Sequence, residues 1–437
     1  MGLSLTLSGR TLAGQELTAK LRRIQGALAL AGVEPGDVLA FVASIEQPTL
    51  LLTLALLDAR IPFLPLHPRA SAAEQAELCA RVGARWVSPA EADHPPQAWL
   101  ASFDHSTEAT AALVATSGSS GEPKLCVLSH GALRASARAS AENLGFLPGD
   151  RWLLCLPFAH VGGLSILTRC LFAGRGLVAH PGFEPQAVLE LIEHQAVSLV
   201  SAVPSMLGPL FDADQRGVLR RLRALLVGGA LCPVDLRCES QRRAIPLVTT
   251  YGLTEACSQV ATQRPGALHD PESLDSGHPL PGAEVRIRGG CIEVRGPMLA
   301  SGYFGEAPWP AGHFFRTSDL GELDAEGRLI VHGRADDVVI TGGENVHPAS
   351  VERVLSAQPG VRDALVFGVP DARLGQVVAA LLVLEPGVSV NAVLTGASPA
   401  LAGFARPRRV ACVAALPTTA VGKPDRRRAA REPLSPC

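Results

Sequence analysis

Lysine is scarce in this chain. Of 39 Lys and Arg residues only three are lysines: Lys20, Lys124 and Lys423. Arginine presents a planar fork, whereas lysine is a compact point charge on a flexible stem. A chain that uses arginine almost everywhere therefore keeps lysine where the fork would fail. Lys124 ends "TSGSSGEPK", residues 116–124, in which Thr116, Ser117, Gly118, Ser119, Ser120 and Gly121 supply backbone N–H groups and hydroxyls. Such a loop can surround phosphate oxygens, with the lysine adding a mobile charge. It is not the G-x-x-x-x-G-K-[ST] pattern, because Gly118 and Gly121 are too close and Leu125 follows the lysine. Taken alone it reads equally as a surface turn. Lys423 lies in "PTTAVGKPDRR", again after a glycine, and taken alone it reads equally as a solvated tail charge.

Further polar clusters follow apolar segments. "TYGLTEACSQ" succeeds "IPLV" and places Tyr251, Gly252, Thr254 and Glu255 at a strand end. A hydroxyl beside a carboxylate suits a helix cap, and it also suits phosphate with Mg²⁺, which prefers oxygen ligands and keeps several waters. Tyr251 is one of only two tyrosines. "RTSDLGELD" offers Asp319 in an expected turn, where a carboxylate accepts hydroxyl protons or closes an Asx-turn. "GRADDVVITGGENVHPASVE" gathers Arg334, Asp336, Gly342 and Gly343, more than a plain linker needs.

The elements that must position these residues are legible as alternation. "GQELTAKLRRIQGALALAG" reads as an amphipathic helix, "DVLAFVAS" as a buried strand and "TLLLTLALLDAR" as a helix. "AVLELIEHQ", "VSLVSAVP", "RLRALLVGG" and "IPLVTTYG" continue the alternation, which predicts α/β layers around largely parallel sheets. Ligands bind beyond the carboxyl ends of such strands. Residues 275–332 change to short strands and turns, predicting a small antiparallel β subdomain. Residues 335–437 read as a separate α+β unit, and residues 1–334 as the large N-terminal domain.

Composition excludes several classes. With 47% hydrophobic and 18% charged residues and a formal net charge of -2, the chain has the profile of a soluble globular protein. No basic surplus suggests nucleic acid, and scarce aromatics leave few platforms for stacked bases. The apolar run "LLTLALLDARIPFLPL" is broken by Asp58, Arg60 and Pro62, so no membrane span is expected there. Ten cysteines without a C-x-x-C pair argue against a zinc site and for reduced thiols in the cytoplasm. The N-terminus lacks the pattern of a signal peptide.

Six segments together carry a family resemblance: "TSGSSGEPK", "LPFAHVGG", "LVGGALCP", "TYGLTE", "RTSDLGELDAEGRLIVHGRADD" and "VGKPDRR". In their order they are similar to the adenylate-forming superfamily of acyl-CoA synthetases, peptide-synthetase adenylation domains and luciferases. They span about 70% of the chain. Within it, "FAHVGGLSIL", "YGLTEACSQVAT" and "TGGENVHPASVE" are similar to the o-succinylbenzoate–CoA ligases of menaquinone synthesis.

The resemblance implies a large α/β domain with a small β subdomain, followed by a mobile α+β C-terminal domain that pivots at Asp336. It implies ATP, Mg²⁺ and coenzyme A as reaction partners of a carboxylic acid, and homodimers are common among relatives. By the same resemblance Thr116–Lys124 holds the β- and γ-phosphates, Thr254 binds phosphate and Glu255 holds Mg²⁺. Gly228, Gly229, Ala230, Tyr251 and Gly252 flank adenine, Asp319 takes the ribose beside Arg334, and Lys423 bridges acyl carboxylate and phosphate. His160 gates the acyl pocket, although a lone histidine reads equally as packed core, and Gly342-Gly343 lines the pantetheine channel.

The sequence departs from the family pattern at Ser119-Ser120, Glu122, Ser318 and Val421 without losing a required group. Other acids remain open: an aryl- or fatty acyl-CoA ligase, or an enzyme loading a carrier protein or amine. A non-catalytic relic is disfavoured, because both motif lysines, Glu255 and Asp319 are present.

Overall fold

The computed structural model describes residues 2–34, 36–89, 107–116, 123–267, 269–418 and 424–436. A nine-stranded sheet runs in the order His278–Pro279, Ser258–Thr262, Leu247–Leu253, Ala224–Val227, Leu199–Ala202, Arg151–Leu154, Gly176–Ala179, Ser4–Leu7, Arg10–Ala13. From Leu247–Leu253 to Ser4–Leu7 the strands are parallel, and antiparallel strands close both edges. A second sheet of six strands has the order Gly302–Tyr303, Lys124–Ser129, Thr110–Thr116, Phe63–Leu66, Leu39–Val42, Arg85–Trp86, with its last four strands parallel. The α/β alternation of the sequence thus builds two layered sheets.

Helix burial follows residue pattern. Helix Gln47–Ala59 has no polar stripe, and every residue from Thr49 to Leu57 is buried in the main core, which also holds Leu5, Phe41, Val114 and Leu226 from both sheets. A helix apolar all round has no face to offer water. Helix Pro185–His194 buries only Val188, Leu189 and Ile192, all on one side, against the other face of the nine-stranded sheet. Among the described residues no helix is long and apolar enough to cross a membrane. The nine described cysteines are free thiols.

The β-rich texture of 275–332 corresponds to a four-stranded antiparallel sheet, Glu284–Arg288, Cys291–Arg295, Phe315–Leu323 and Leu329–Arg334. Asp319 lies inside the strand Phe315–Leu323 rather than in the expected turn. Its Ser, Asp and Gly neighbours favour turns locally. Asp319 pairs with Arg334 on one side, while on the other the strand bulges between Arg316 and Leu320, where Asp319 N–H reaches Thr317 Oγ1 at 3.0 Å. Pairing on both flanks of the bulge keeps the segment in the strand. All strands of the last sheet fall between Val339 and Pro436, with Val361–Asp371 and Gly375–Leu384 forming its longest pair.

One carboxylate locks the amino ends of the parallel strands. Buried Asp150 accepts from Arg223 Nε at 2.8 Å and Nη2 at 2.7 Å, and from Ser198 Oγ at 2.7 Å. These three residues each precede a neighbouring strand, and the Asp150 carbonyl also accepts from Gly176 N–H at 3.2 Å, at the start of a fourth. Burial pushes the Asp150 carboxyl up, but Arg223, Ser198 and the Leu147 N–H outweigh it and hold the group below its ordinary value of 3.8.

A depressed carboxylate contributes stability that is complete above its unfolded value and lost as pH falls through the lower folded value. Asp150→Asn leaves Arg223 uncompensated and should cost about 3 kcal/mol, near the low end for a broken buried pair because Arg223 keeps part of its hydration. Urea unfolding checks both points: the variant should be less stable at neutral pH, and the gap to wild type should close below pH 3.8.

Candidate active site

The carboxyl end of the parallel strand Leu247–Leu253 carries part of the polar set singled out above. Strand Leu247–Leu253 delivers Tyr251, then Thr254 and Glu255 on a single 3-10 turn closed by Cys257 N–H to the Thr254 carbonyl at 3.0 Å. The chain turns back through left-handed Cys257 (φ 52°) and Ser258 (φ 105°) into Ser258–Thr262. The return is so tight that a Cβ on Gly252 would lie 1.9 Å from the Ser258 carbonyl oxygen. Beside it, a Cβ on Gly228 would lie 2.7 Å from Thr250 Cγ2, so the Gly228-Gly229-Ala230 segment passes close over the neighbouring strand.

The buried Tyr251 hydroxyl donates to Asp319 Oδ2 at 2.7 Å. Burial and the Asp319 charge push this phenol well above its ordinary value, so it stays a donor. The pair joins the nine-stranded sheet to the four-stranded one, and Asp319 stands opposite Arg334 in the ladder. Arg334 in turn approaches Asp336 at 3.4 Å.

A second cluster joins the two α/β sheets. Lys124 opens the strand Lys124–Ser129, and its Nζ lies 3.1 Å from Glu306 Oε1 and 4.4 Å from the Tyr303 ring centroid. The Tyr303 hydroxyl donates to Glu255 Oε1 at 2.7 Å. Backbone bonds fix the same segment: Ala300 N–H reaches the Glu255 carbonyl at 2.8 Å, and Phe304 N–H reaches that of Leu125 at 2.8 Å. Trp309 meets the Tyr303 ring edge-on at 5.5 Å and stacks on Phe315 at 4.7 Å. Tyr303 and Glu306 were not singled out in the sequence. The available signal was that Tyr303 is the second of two tyrosines, and both phenols donate to candidate carboxylates.

The remaining candidates stand as follows. Thr116 pairs with Lys124 in register, and its Oγ1 donates to the Lys124 carbonyl at 3.2 Å, so Thr110–Thr116 and Lys124–Ser129 are antiparallel neighbours. Ser117, Gly118, Ser119, Ser120 and Gly121 lie outside the described residues, as does Lys423. The flanks of 419–423 are held together by the Thr418–Pro424 bridge and by Asp425 N–H on the Pro417 carbonyl at 2.9 Å. His160 precedes helix Val161–Ala173, with its ring 5.0 Å from that of His67 at the end of strand Phe63–Leu66. Gly342 and Gly343, both left-handed, form the turn between Val339–Thr341 and Glu344–Val346 on the last sheet.

The donor set suits a magnesium nucleotide. Glu255 and Thr254 offer oxygen only, and no group of three or more His, Cys, Asp or Glu residues gathers a metal cage among the described residues. An ion that brings phosphate oxygens and water needs one or two carboxylates, not a cage.

Known proteins resemble this chain along most of its length. Residues 86–304 match the model for AMP-binding enzyme, and residues 350–423 match that for the AMP-binding enzyme C-terminal domain. The 2-succinylbenzoate–CoA ligase of Bacillus velezensis is 38% identical over 350 residues, 77% of this chain and 70% of that protein. The structure of o-succinylbenzoate CoA synthetase from Bacillus subtilis with its acyl-adenylate intermediate superposes with a TM-score of 0.90 at 30% identity, covering 99% of this chain and 96% of that one. The same enzyme with ATP and magnesium ion gives 0.85 at 30% identity, covering 96% and 94%. With two matched family models in order and a likeness that runs the length of the chain, this protein belongs to the AMP-binding enzyme family.

Proposed function

We propose that this chain is an ATP-dependent acid–CoA ligase whose acid is 2-succinylbenzoate. In the first half-reaction the substrate carboxylate attacks the α-phosphorus of ATP and pyrophosphate leaves, giving the acyl-adenylate. In the second, the coenzyme A thiol attacks the acyl carbon, its proton is lost, and AMP leaves with the thioester formed. The observation that carries this reading is the pair of clusters at the strand ends, Lys124 with Glu255 and Tyr251 with Asp319. It is supported by a likeness along the whole chain to an enzyme captured with its acyl-adenylate.

In this reading the Thr116–Lys124 loop, with Ser117 to Gly121, takes the β- and γ-phosphates, and Thr254 takes phosphate oxygens. Glu255 holds Mg²⁺, which supplies neutralisation of phosphate charge when bound. Gly228, Gly229, Ala230, Tyr251 and Gly252 flank adenine, and Asp319 accepts the ribose hydroxyls near Arg334. The absence of a Cβ at Gly228 and Gly252, each required by backbone packing, also keeps this surface thin enough for a flat ring. His160 borders the acyl group. Lys423 stabilises the charge that grows between carboxylate and phosphate in the transition state.

We further read residues 1–334 and 335–437 as two domains that turn about Asp336 between the half-reactions. Lys423 then leaves, and the Gly342-Gly343 turn lines the path of the pantetheine. A short element-terminal hinge that absorbs large φ/ψ changes suits such a motion. The free thiols support a reducing, cytoplasmic setting. Light scattering of the purified protein checks the homodimer common among relatives.

Pyrophosphate release should require 2-succinylbenzoate with Mg·ATP, and thioester should appear on adding coenzyme A, while benzoate and a medium-chain fatty acid stay at background. Release with another acid would keep the ligase chemistry and discard the substrate. Lys423→Ala should lower acid-dependent pyrophosphate release by roughly 10²–10³, yet leave thioester formation from supplied acyl-adenylate nearly unchanged; an equal loss in both would discard its role. Tyr251→Phe removes one charge-assisted hydrogen bond and should raise the KM for ATP about tenfold with kcat little changed.

A further inference from the structure

Tyr303 touches both charged groups assigned to the triphosphate, and it does so with two different parts of one side chain. Its hydroxyl reaches Glu255 at 2.7 Å, and its ring face lies 4.4 Å from the Lys124 ammonium. The ring cannot swing, because Gly302 and Tyr303 pair with Val127 and Cys126, and Trp309 packs against the ring from the side.

Tyr303 and Glu306 differ in how firmly they hold. The Lys124–Glu306 pair is about half-exposed on both sides, 47% and 51%. An exposed pair of this kind is weak and screened by salt, so a nucleotide triphosphate with several negative charges outcompetes one carboxylate for the same ammonium. The Tyr303–Glu255 bond is part-buried and charge-assisted, which makes it about twice as strong as a neutral one.

Resting on the ligase reading above, we propose that Tyr303 is a positioning residue for the nucleotide site. Its hydroxyl orients the Glu255 carboxylate toward the metal, its ring holds Lys124 over the phosphates, and Glu306 competes with the triphosphate for that lysine. One side chain thereby sets the spacing between the acid and the base that meet Mg·ATP.

The test is ATP binding to the full chain by calorimetry without acid substrate, once with Mg²⁺ and once with EDTA. Tyr303→Phe keeps the ring and removes only the hydroxyl. It should raise the Kd about tenfold in Mg²⁺, the span of a charged hydrogen bond, and change it less than twofold in EDTA. A role in folding alone would weaken both conditions equally or neither, and either result overturns the proposal. Glu306→Gln should tighten binding two- to fivefold at low salt and lose that gain at high salt; weaker binding would overturn the competition. Wild-type protein that fails to bind ATP in either condition would instead sink the ligase reading itself.

Discussion

The site depends on one cross-link between two sheets. Glu255 follows the end of a strand in the nine-stranded sheet, and Lys124 opens a strand of the six-stranded one beside its edge strand Gly302–Tyr303. Nothing in either sheet alone fixes the distance between them. The segment from Ala300 to Glu306 does, by pairing with the Lys124 strand while giving Glu255 both a backbone donor and a phenol. A carboxylate and an ammonium placed at open strand ends would otherwise adopt many rotamers, each costing entropy to order when a ligand binds. Here the cost is met during folding, and the aromatic row Tyr303, Trp309, Phe315 carries the same order to the strand that holds Asp319.

The two ends of the nine-stranded sheet are treated oppositely. At the amino ends one carboxylate gathers its neighbours: Asp150 binds Arg223 and Ser198, and the Arg223 Nη1 also reaches the Leu144 carbonyl at 3.1 Å. At the carboxyl ends the side chains keep capacity for another partner. Glycines stand where backbones must cross closely, and a strained pair, Cys257 and Ser258, makes the turn behind Glu255. Strain at such a turn persists only when its surroundings over-determine it. Buried Ser136 and Arg169 supply that surrounding: the Ser136 hydroxyl donates to the Cys257 carbonyl at 2.9 Å, and Arg169 donates to Ser258 Oγ at 3.2 Å.

How much of this was legible follows from what each feature depends on. Alternating helix and strand is a local property, and a stretch such as Thr49–Leu57, apolar but for two threonines, announces burial from its own residues. The motif segments are local too, so Tyr251, Thr254, Glu255 and Asp319 were visible before any fold. Asp319 was nevertheless expected in a turn, because strand pairing is settled by residues far away in sequence. Tyr303 and Glu306 stayed hidden for the same reason: their partners lie 48 and 182 positions away. The pairing of His67 with His160 likewise joins the end of strand Phe63–Leu66 to the start of helix Val161–Ala173.

The choice of lysine at position 124 now has a physical account. A guanidinium would lie flat on the Tyr303 ring, as Arg286 lies 3.7 Å from the centroid of Phe314, and would grip Glu306 through two parallel hydrogen bonds. Such a pair would compete too well with a nucleotide. An ammonium makes a single hydrogen bond to Glu306, carries two further donors and is half-exposed. It can therefore exchange one carboxylate for phosphate oxygens without leaving the aromatic face that locates it. The rarity of lysine in this chain and the weakness of its ion pair are two views of one requirement: the charge must be held in place and still be free to change partners.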